Sequence, residues 1–264
     1  MRGFLNRHAW KIRFELRFPL VTLRAWRYEK SHLPGIPPPA VHRYGVELWL
    51  DSPAISRTVI DKVLQGRYEF TEAAIASDLV RRGDRVVEFG GGMGFLAIYI
   101  ARLVGPTGTV TTYEPDPQVV EIARLNIKRN HCQNVDLIHA AVTDSPTESQ
   151  VYLSSEADFW NRAVATEIDN TTIPSETLQP VPAVNIAKVL ADLQPTVLVI
   201  DVEGLEHDLL TSGPLPTTIR AIVLEMHDER LTSAQWQATL GSLEGQGFKV
   251  IHNFQREFGL ARAS

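Results

Sequence analysis

The part of the sequence with the clearest chemical use is a glycine-rich run, Glu88-Phe89-Gly90-Gly91-Gly92-Met93-Gly94, between a predicted strand and a predicted helix. Glycine permits a tight turn and lets the backbone approach a ligand without a Cβ in the way. The helix that follows directs its free N–H groups toward whatever binds there. The run therefore predicts a nucleotide-type cofactor site, with Gly90, Gly92 and Gly94 as contacts.

The glycine spacing alone does not identify the cofactor. Gly92-Met93-Gly94-Phe95-Leu96-Ala97 also satisfies the dinucleotide pattern G-x-G-x-x-A. Glu88 favours S-adenosylmethionine, because its carboxylate can meet the ammonium of a methionine moiety but would repel the pyrophosphate of NAD. Glu114 ends the next predicted strand, where an acid accepts hydrogen bonds from the ribose hydroxyls of either cofactor. An NAD-linked oxidoreductase is therefore the alternative.

A second group of side chains follows the fourth and fifth predicted strands: Asp201, Glu203, Glu225 and His227. Strands of a parallel sheet end at one crevice, so we expect these side chains to face one another. A methyl donor is already activated, so a protein that uses one mainly aligns the acceptor, and a hydroxyl acceptor benefits from a base. We predict that Asp201 and Glu203 orient an acceptor, with either as the base, and that His227 assists proton transfer near neutral pH.

Each of these residues also has another interpretation. Asp201 could cap the following turn, Glu203 could be structural, and His227 could be a hydrogen-bonded framework histidine. The four side chains could also hold a divalent ion, since oxygen and imidazole ligands suit several metals. Their spacing shows no tight ligand pattern, so the sequence predicts no metal.

The elements that position these residues alternate between strand and helix, which predicts an α/β fold with a doubly wound, mostly parallel sheet. The strand Val197-Leu198-Val199-Ile200 is continuously apolar, as expected when helices cover both faces of a sheet. The predicted strands are 85–89, 109–113, 135–139, 196–201, 219–225 and 248–253. The predicted helices between them are 95–103, 117–130, 186–193, 205–211 and 234–246.

The chain divides into two predicted parts. Residues 1–43 form a basic N-terminal arm that ends in a stiff proline-rich linker at 33–39. Residues 44–264 form a single α/β domain with a lead-in at 44–84. An insertion at about 144–185, rich in Ser, Thr and Pro, interrupts the alternation. It is either an acceptor-recognition element or a surface excursion.

The lead-in and the arm carry weaker patterns. The lead-in predicts a strand at 46–50 and helices at 56–64 and 72–82. In the arm, apolar residues alternate with charged ones over 10–20, which favours a strand over an amphipathic helix.

Charge is unevenly distributed along the chain. Residues 1–30 carry eight basic and two acidic side chains, a net of +6, whereas the remainder carries −11. An acidic body argues against nucleic-acid partners, because a phosphate backbone needs a basic face. The basic start predicts peripheral contact with an anionic membrane surface or a partner protein, or else a solvated arm.

The remaining composition predicts a cytoplasmic protein, possible membrane contact of the arm aside. Cys132 is the single cysteine, so no internal disulfide forms, which fits a reducing compartment. No run of about 18 apolar residues predicts a membrane span. The charged start does not resemble a secretory signal.

The chain resembles the FkbM family of class I S-adenosylmethionine-dependent methyltransferases. Four stretches carry the resemblance: Gly66-Arg67-Tyr68-Glu69, residues 83–90, Ile200-Asp201-Val202-Glu203-Gly204-Leu205-Glu206, and Val223-Leu224-Glu225-Met226-His227. The family pattern at the glycine loop is Asp-x-Gly-Ala-Asn-x-Gly, so Glu88, Gly91 and Gly92 are departures from it.

The resemblance implies a Rossmann-like sheet of seven strands, S-adenosylmethionine as donor, and O-methylation of a small-molecule or saccharide acceptor. It also implies that Tyr68 and Glu69 close over the methionine end of the cofactor. Ala141, after the third strand, is a further predicted cofactor contact. A non-catalytic cofactor-binding or scaffold module remains the other alternative.

Overall fold

The computed structural model describes residues 40–145, 150–154, 164–165 and 178–262. The predicted strand at 10–20 and the proline-rich linker at 33–39 lie outside these residues. Where the chain is described, no helix is both long enough and apolar enough to cross a bilayer.

The fold is an α/β sandwich built around one large sheet. The described strands of all sheets are, in chain order, β1 Ala40–Arg43, β2 Val46–Trp49, β3 Arg85–Phe89, β4 Thr109–Glu114, β5 Val135–His139, β6 Ala141–Thr143, β7 Gln150–Ser154, β8 Val164–Ala165, β9 Leu178–Asn185, β10 Val197–Ile200, β11 Ala221–Glu225, β12 Phe248–Phe254 and β13 Glu257–Arg262. The helices are α1 Arg57–Leu64, α2 Phe70–Leu79, α3 Phe95–Val104, α4 Pro117–Arg129, α5 Ile186–Leu193, α6 Glu206–Thr211 and α7 Ser233–Gly245.

The large sheet has seven strands, as the resemblance predicted, and their order is β5-β4-β3-β10-β11-β13-β12. All its strands are parallel except β13, which runs antiparallel to both of its neighbours. From β3 the chain crosses to β4 on one side, whereas β10 pairs on the other. The carboxyl ends of β3 and β10 therefore flank a topological switch point, where α/β sheets bind ligands.

Side chains of the central strands alternate between two hydrophobic cores. On β10, Val197 and Val199 face one core, and Leu198 and Ile200 face the other. Helices α1 to α4 close the first core, and α5 to α7 close the second. Helices thus cover both faces of the sheet, which confirms the predicted fold class and explains why β10 has no polar residue.

Helix α2 begins and ends earlier than the predicted 72–82. Glu69 stands at its N-terminus with a positive φ of 46°, and the chain becomes extended again at Val80. The Asp84 carboxylate then accepts a hydrogen bond from the Arg81 N–H at 2.6 Å. This local bond stabilises a turn where helical periodicity alone suggested another helical turn.

The predicted insertion contributes to a second, smaller sheet. Its strand order is β6-β9-β7-β8, with β6 parallel to β9 and the other pairs antiparallel. Pro180 and Pro182 lie within β9, although proline disfavours a strand because it donates no ladder hydrogen bond. Val181 and Ala183 alternate with them and are buried with Ala141 and Val151.

Two further strands were absent from the residue-based prediction. Strand β1 pairs with β2 in an antiparallel hairpin, which spans the predicted boundary between residues 43 and 44. Strand β13 pairs with β12 through a register shift between Val250 and His252, so the alternation of side chains is interrupted there.

Candidate active site

A cavity of about 290 Å³ opens at the carboxyl ends of β3, β4, β10 and β11. Its volume is near the lower end of the range for ligand pockets, about 300 Å³. Eight of the ten site residues predicted from the sequence line it: Glu69, Gly90, Gly92, Glu114, Ala141, Asp201, Glu203 and His227. The two groups recognised in the sequence therefore share one site.

The glycine loop passes close to its neighbours, and glycine is required for geometric reasons. Gly90 has a φ of +90°, and a Cβ on it would lie 1.7 Å from the backbone oxygen of Asp201. Gly92 has a φ of +48°, and a Cβ there would lie 3.0 Å from the Tyr68 hydroxyl oxygen. The loop thus exposes its backbone to a ligand and packs closely against Asp201 at the end of β10.

Glu114 ties the glycine loop to the start of α4. Its carboxylate accepts the N–H of Gly92 through Oε2 and the N–H of Asp116 through Oε1, both at 2.8 Å. Burial raises the pKa of Glu114 to about 8. The remaining lone pairs of this carboxylate are available for the predicted hydrogen bonds from ribose hydroxyls.

Two predicted cofactor contacts lie off the cavity wall. Glu88 is 1% exposed and is packed within the sheet beside Thr112, whose hydroxyl lies against Gly91. Gly94 begins α3 with a φ of +81° and packs against Ala123. Both residues support the loop from the side away from the cavity. The side chain of Glu88 points to the core closed by α1 to α4. This differs from the predicted contact of Glu88 with the ammonium of a methionine moiety.

We expect Glu88→Gln to stabilise the protein progressively as the pH rises. Burial raises the pKa of Glu88 from 4.5 to about 7. A carboxyl with a higher pKa in the folded state favours folding only while protonated, so the parent loses stability from about pH 4.5 to about pH 7. Glutamine does not titrate, so the variant's advantage should grow by on the order of 3 kcal/mol across that interval.

Urea unfolding at pH 5, 6, 7 and 8, without added cofactor, measures this difference. Glu121→Gln, at a position on α4 that is 74% exposed, is the matched control, and its difference from the parent should stay constant. A constant difference for Glu88→Gln as well would show that the pKa of Glu88 is not raised by burial.

Glu69 lies opposite the glycine loop and carries an unsatisfied oxygen. Its Oε1 lies 3.3 Å from the position of a Cβ on Gly92, and its Oε2 is buried without a hydrogen-bond partner. Burial raises its pKa to about 8. A carboxylate oxygen without a partner beside a glycine backbone suits the ammonium group of an amino-acid ligand.

The acidic side chains at the ends of β10 and β11 converge on His227, as predicted. The His227 Nε2 lies 3.6 Å from Asp201 Oδ1 and 3.4 Å from Glu203 Oε2. Glu225 Oε1 is 3.9 Å from the same nitrogen. Neither Asp201 Oδ1 nor Glu203 Oε2, both buried, accepts a hydrogen bond from any residue that the structure describes.

His227 does not titrate near neutrality as expected from the sequence. Burial lowers its pKa, but the carboxylates of Glu203 and Glu206 outweigh burial and raise the pKa to about 11. A raised pKa favours the doubly protonated imidazole, which cannot act as a base. Burial, followed by repulsion from Glu225, raises the pKa of Asp201, which makes this carboxylate a better proton acceptor.

Sequence reasoning overlooked further acids of this site, three of which lie beside His227 or Glu225. Glu206 is fully buried, and its Oε1 lies 2.6 Å from the His227 Nδ1. Glu72 on α2 and Glu257 on β13 line the cavity close to Glu225. The stretch that begins at Ile200 includes Glu206, but no spacing links Glu72 or Glu257 to strands that are distant in the sequence.

The cavity as a whole is acidic. Within the described part of the chain, nine carboxylates line it, against three side chains of lysine or arginine: Glu69, Glu72, Glu114, Asp116, Asp201, Glu203, Glu225, Glu229 and Glu257, against Lys62, Arg67 and Arg256. This balance favours a cationic ligand such as a sulfonium with an ammonium group, and it disfavours a pyrophosphate. The charge argument made from Glu88 therefore holds for the site, although other carboxylates provide the charge.

Comparison with known proteins agrees with this chemistry. The model of the FkbM methyltransferase domain matches residues 83–258, about two thirds of the chain. Over 67 residues the chain is 45% identical to a protein-L-isoaspartate O-methyltransferase of Methanothrix thermoacetophila, which covers 25% of this chain and 32% of the relative. Over 55 residues it is 44% identical to a tRNA (adenine(57)-N(1)/adenine(58)-N(1))-methyltransferase of Methanocaldococcus jannaschii, which covers 21% of this chain and 20% of the relative.

The chain thus spans about a third or less of the length of these curated relatives. Among solved structures, a precorrin-6y C5,15-methyltransferase from Geobacter metallireducens is similar at a TM-score of 0.44 and 17% identity, covering 75% of this chain and 89% of that chain. The family match includes the glycine loop, Glu114 and the acidic residues around His227. The chain therefore belongs to the FkbM family of S-adenosylmethionine-dependent methyltransferases, and S-adenosylmethionine rather than NAD is its cofactor.

Proposed function

We propose that the protein methylates an oxygen atom of a small-molecule or saccharide-type acceptor. The observation that carries this proposal is the shared cavity. It joins the glycine loop and Glu114, which suit the cofactor, to Asp201 and Glu203, which suit a hydroxyl. Carboxylates without hydrogen-bond partners are the groups that an acceptor hydroxyl would bind and that could take its proton.

The residues divide the cavity into two halves. Gly90 and Gly92 would lie along the cofactor, Glu114 would accept hydrogen bonds from its ribose, and Glu69 would meet its ammonium group. When bound, S-adenosylmethionine supplies a methyl carbon on a sulfonium, whose carbon–sulfur bond breaks with its electron pair moving to sulfur as the acceptor oxygen attacks. Asp201 and Glu203 would orient the acceptor, and one of them would take the hydroxyl proton.

The charge of the cavity also bears on the acceptor. A phosphate backbone would be repelled by nine carboxylates, so a nucleic acid is a poor candidate although one relative is a tRNA methyltransferase. A neutral polyhydroxylated or a cationic acceptor is compatible with these side chains. The carboxylates would bind the hydroxyl groups of such an acceptor directly.

Calorimetry and an acceptor screen test this proposal. We expect S-adenosylhomocysteine to bind the full chain and NAD not to bind, and we expect mass spectrometry to detect methyl transfer to hydroxyl compounds. Asp201→Asn and Glu203→Gln should each lower kcat at least tenfold while S-adenosylhomocysteine still binds, because general-base catalysis contributes about 10² to 10⁴. Glu121→Gln on the exposed face of α4 is the control.

Two results would contradict the proposal. Binding of NAD without S-adenosylhomocysteine would restore the oxidoreductase alternative. Full turnover by both Asp201→Asn and Glu203→Gln would show that the acceptor hydroxyl is not handled by these carboxylates.

A further inference from the structure

The His227 ring is oriented by a buried carboxylate. Glu206 is fully buried, and its Oε1 lies 2.6 Å from His227 Nδ1 and accepts the Gly204 N–H at 3.1 Å. The proton on Nδ1 is therefore donated to Glu206, and Nε2 points into the cavity. Histidines that bind metals almost always donate their other ring N–H to a carboxylate or carbonyl in this way.

Carboxylates surround the Nε2 atom of His227, and Arg230 Nε lies 3.7 Å from one of them, Glu203 Oε2. The His227 side chain is only 6% exposed, and Asp201, Glu203 and Glu225 lie 3.4 to 3.9 Å from Nε2. These separations exceed the 2.7 to 3.2 Å of ordinary N–H···O hydrogen bonds. Several carboxylates around one nitrogen in a buried site repel one another, and a divalent cation between them would offset this repulsion more than the single charge of an imidazolium.

We propose that Asp201, Glu225 and His227 bind a divalent cation of the Mn²⁺ class. One ligand atom from each residue lies within 4.8 Å of the other two. Ligands bonded to one ion at about 2.1 Å are about 3 to 4 Å apart, which the contacts at Nε2 match. Asp201 Oδ1 is buried without a hydrogen-bond partner, and two carboxylates with one imidazole suit Mn²⁺ and similar ions.

The ion would bind the acceptor of the proposed methyl transfer, and this part of the inference rests on that proposed function. Three protein ligands leave open positions on an octahedral ion, so an acceptor with two adjacent oxygens, such as a vicinal diol or a hydroxy acid, can chelate it. Such an ion would make a hydroxyl bound to it more acidic, and Glu203 beside the ion would take the proton. The acceptor oxygen would then form the new carbon–oxygen bond as the carbon–sulfur bond breaks and sulfur retains the electron pair.

A second group of acids competes for the same ion. Glu72, Glu225 and Glu257 also bring one oxygen each within 4.8 Å of the others. This group contains no histidine and no carboxylate corresponding to Glu206. Glu206 itself is a positioning residue, because it reaches the ion only through the His227 ring.

Mn²⁺ titration followed by electron paramagnetic resonance tests the site on the full chain after EDTA treatment. We expect one Mn²⁺ per chain. Asp201→Asn, Glu225→Gln and His227→Ala should each weaken binding at least 100-fold, and Glu206→Gln should weaken it 10- to 100-fold. Glu121→Gln is the control, since Glu121 is 74% exposed on α4 and does not line the cavity. Far-UV circular dichroism checks that each variant is folded.

Three outcomes would overturn this assignment. Absence of Mn²⁺ binding to the folded parent would exclude the site, as would unchanged binding by both Asp201→Asn and His227→Ala. Loss of binding in Glu72→Gln but not in Asp201→Asn would place the ion in the second group of acids. Calorimetry with S-adenosylhomocysteine in EDTA separates the proposals, because cofactor binding without Mn²⁺ binding rejects the metal site alone.

Discussion

Replacing Gly90 with alanine is expected to abolish cofactor binding and to lower the free energy of unfolding by more than about 3 kcal/mol. The new Cβ would lie 1.7 Å from the backbone oxygen of Asp201 and 2.8 Å from its carbonyl carbon. Both partners are backbone at the ends of β3 and β10, so no side chain can rotate away. The clash can be relieved only if the two strand ends separate, and this separation disrupts both the glycine loop and the position of Asp201.

Two other glycines distinguish the steric clash expected in Gly90→Ala from the strain of a left-handed backbone. Gly83 has a similar φ of +84°, but a Cβ there would meet only the Thr107 hydroxyl at 3.7 Å. Gly83→Ala should therefore cost only the left-handed backbone strain, about 1 to 2 kcal/mol. Gly241, inside α7, has nothing within 4 Å of a Cβ, and Gly241→Ala should be neutral or stabilising.

Urea unfolding and calorimetry with S-adenosylhomocysteine measure both effects. Gly83→Ala and Gly241→Ala should bind the ligand like the parent, since neither residue lines the cavity. If Gly90→Ala cost no more stability than Gly83→Ala and still bound S-adenosylhomocysteine, the close approach of the loop to Asp201 would be wrong.

The sheet could be predicted from sequence because its signals are local. A buried parallel strand such as β10 is apolar throughout, and caps such as Asp116 before Pro117 mark where a helix begins. Strand β9 could not be predicted in this way, because Pro180 and Pro182 oppose strand formation locally. Its pairing with β6 and β7 makes that arrangement favourable, and such pairing is not visible in the segment itself.

The site could be predicted to the level of which strand ends meet. Asp201 and His227 were expected together because parallel strands end at one edge, and their 3.6 Å contact confirms that expectation. The direction of each side chain was harder to predict. Glu88 lies in the sheet and faces the first core, so its carboxylate ends beside Thr112 rather than in the cavity. The contact of Glu206 with His227 depends on where α6 packs, which no local pattern specifies.

Removing the Glu114 side chain is expected to weaken S-adenosylhomocysteine binding at least 100-fold. The carboxylate satisfies two backbone donors, the N–H groups of Gly92 and Asp116, each at 2.8 Å. In Glu114→Ala both donors lose their partner, and the proposed ribose contacts disappear with them. A buried donor left without a partner costs about 1 to 3 kcal/mol, and a loss of about 2.7 kcal/mol corresponds to 100-fold in affinity.

Glu114→Gln distinguishes the positioning of the loop from contact with the ligand. Its amide keeps one acceptor oxygen, but its NH₂ group must face either the Gly92 or the Asp116 N–H, which is also a donor. We therefore expect about a tenfold loss in affinity, between that of Glu114→Ala and the parent. Glu121→Ala, at an exposed acid on α4, should bind S-adenosylhomocysteine like the parent. Calorimetry below the unfolding temperature of every variant measures these affinities, and binding by Glu114→Ala within threefold of the parent would rule out Glu114 as a cofactor ligand.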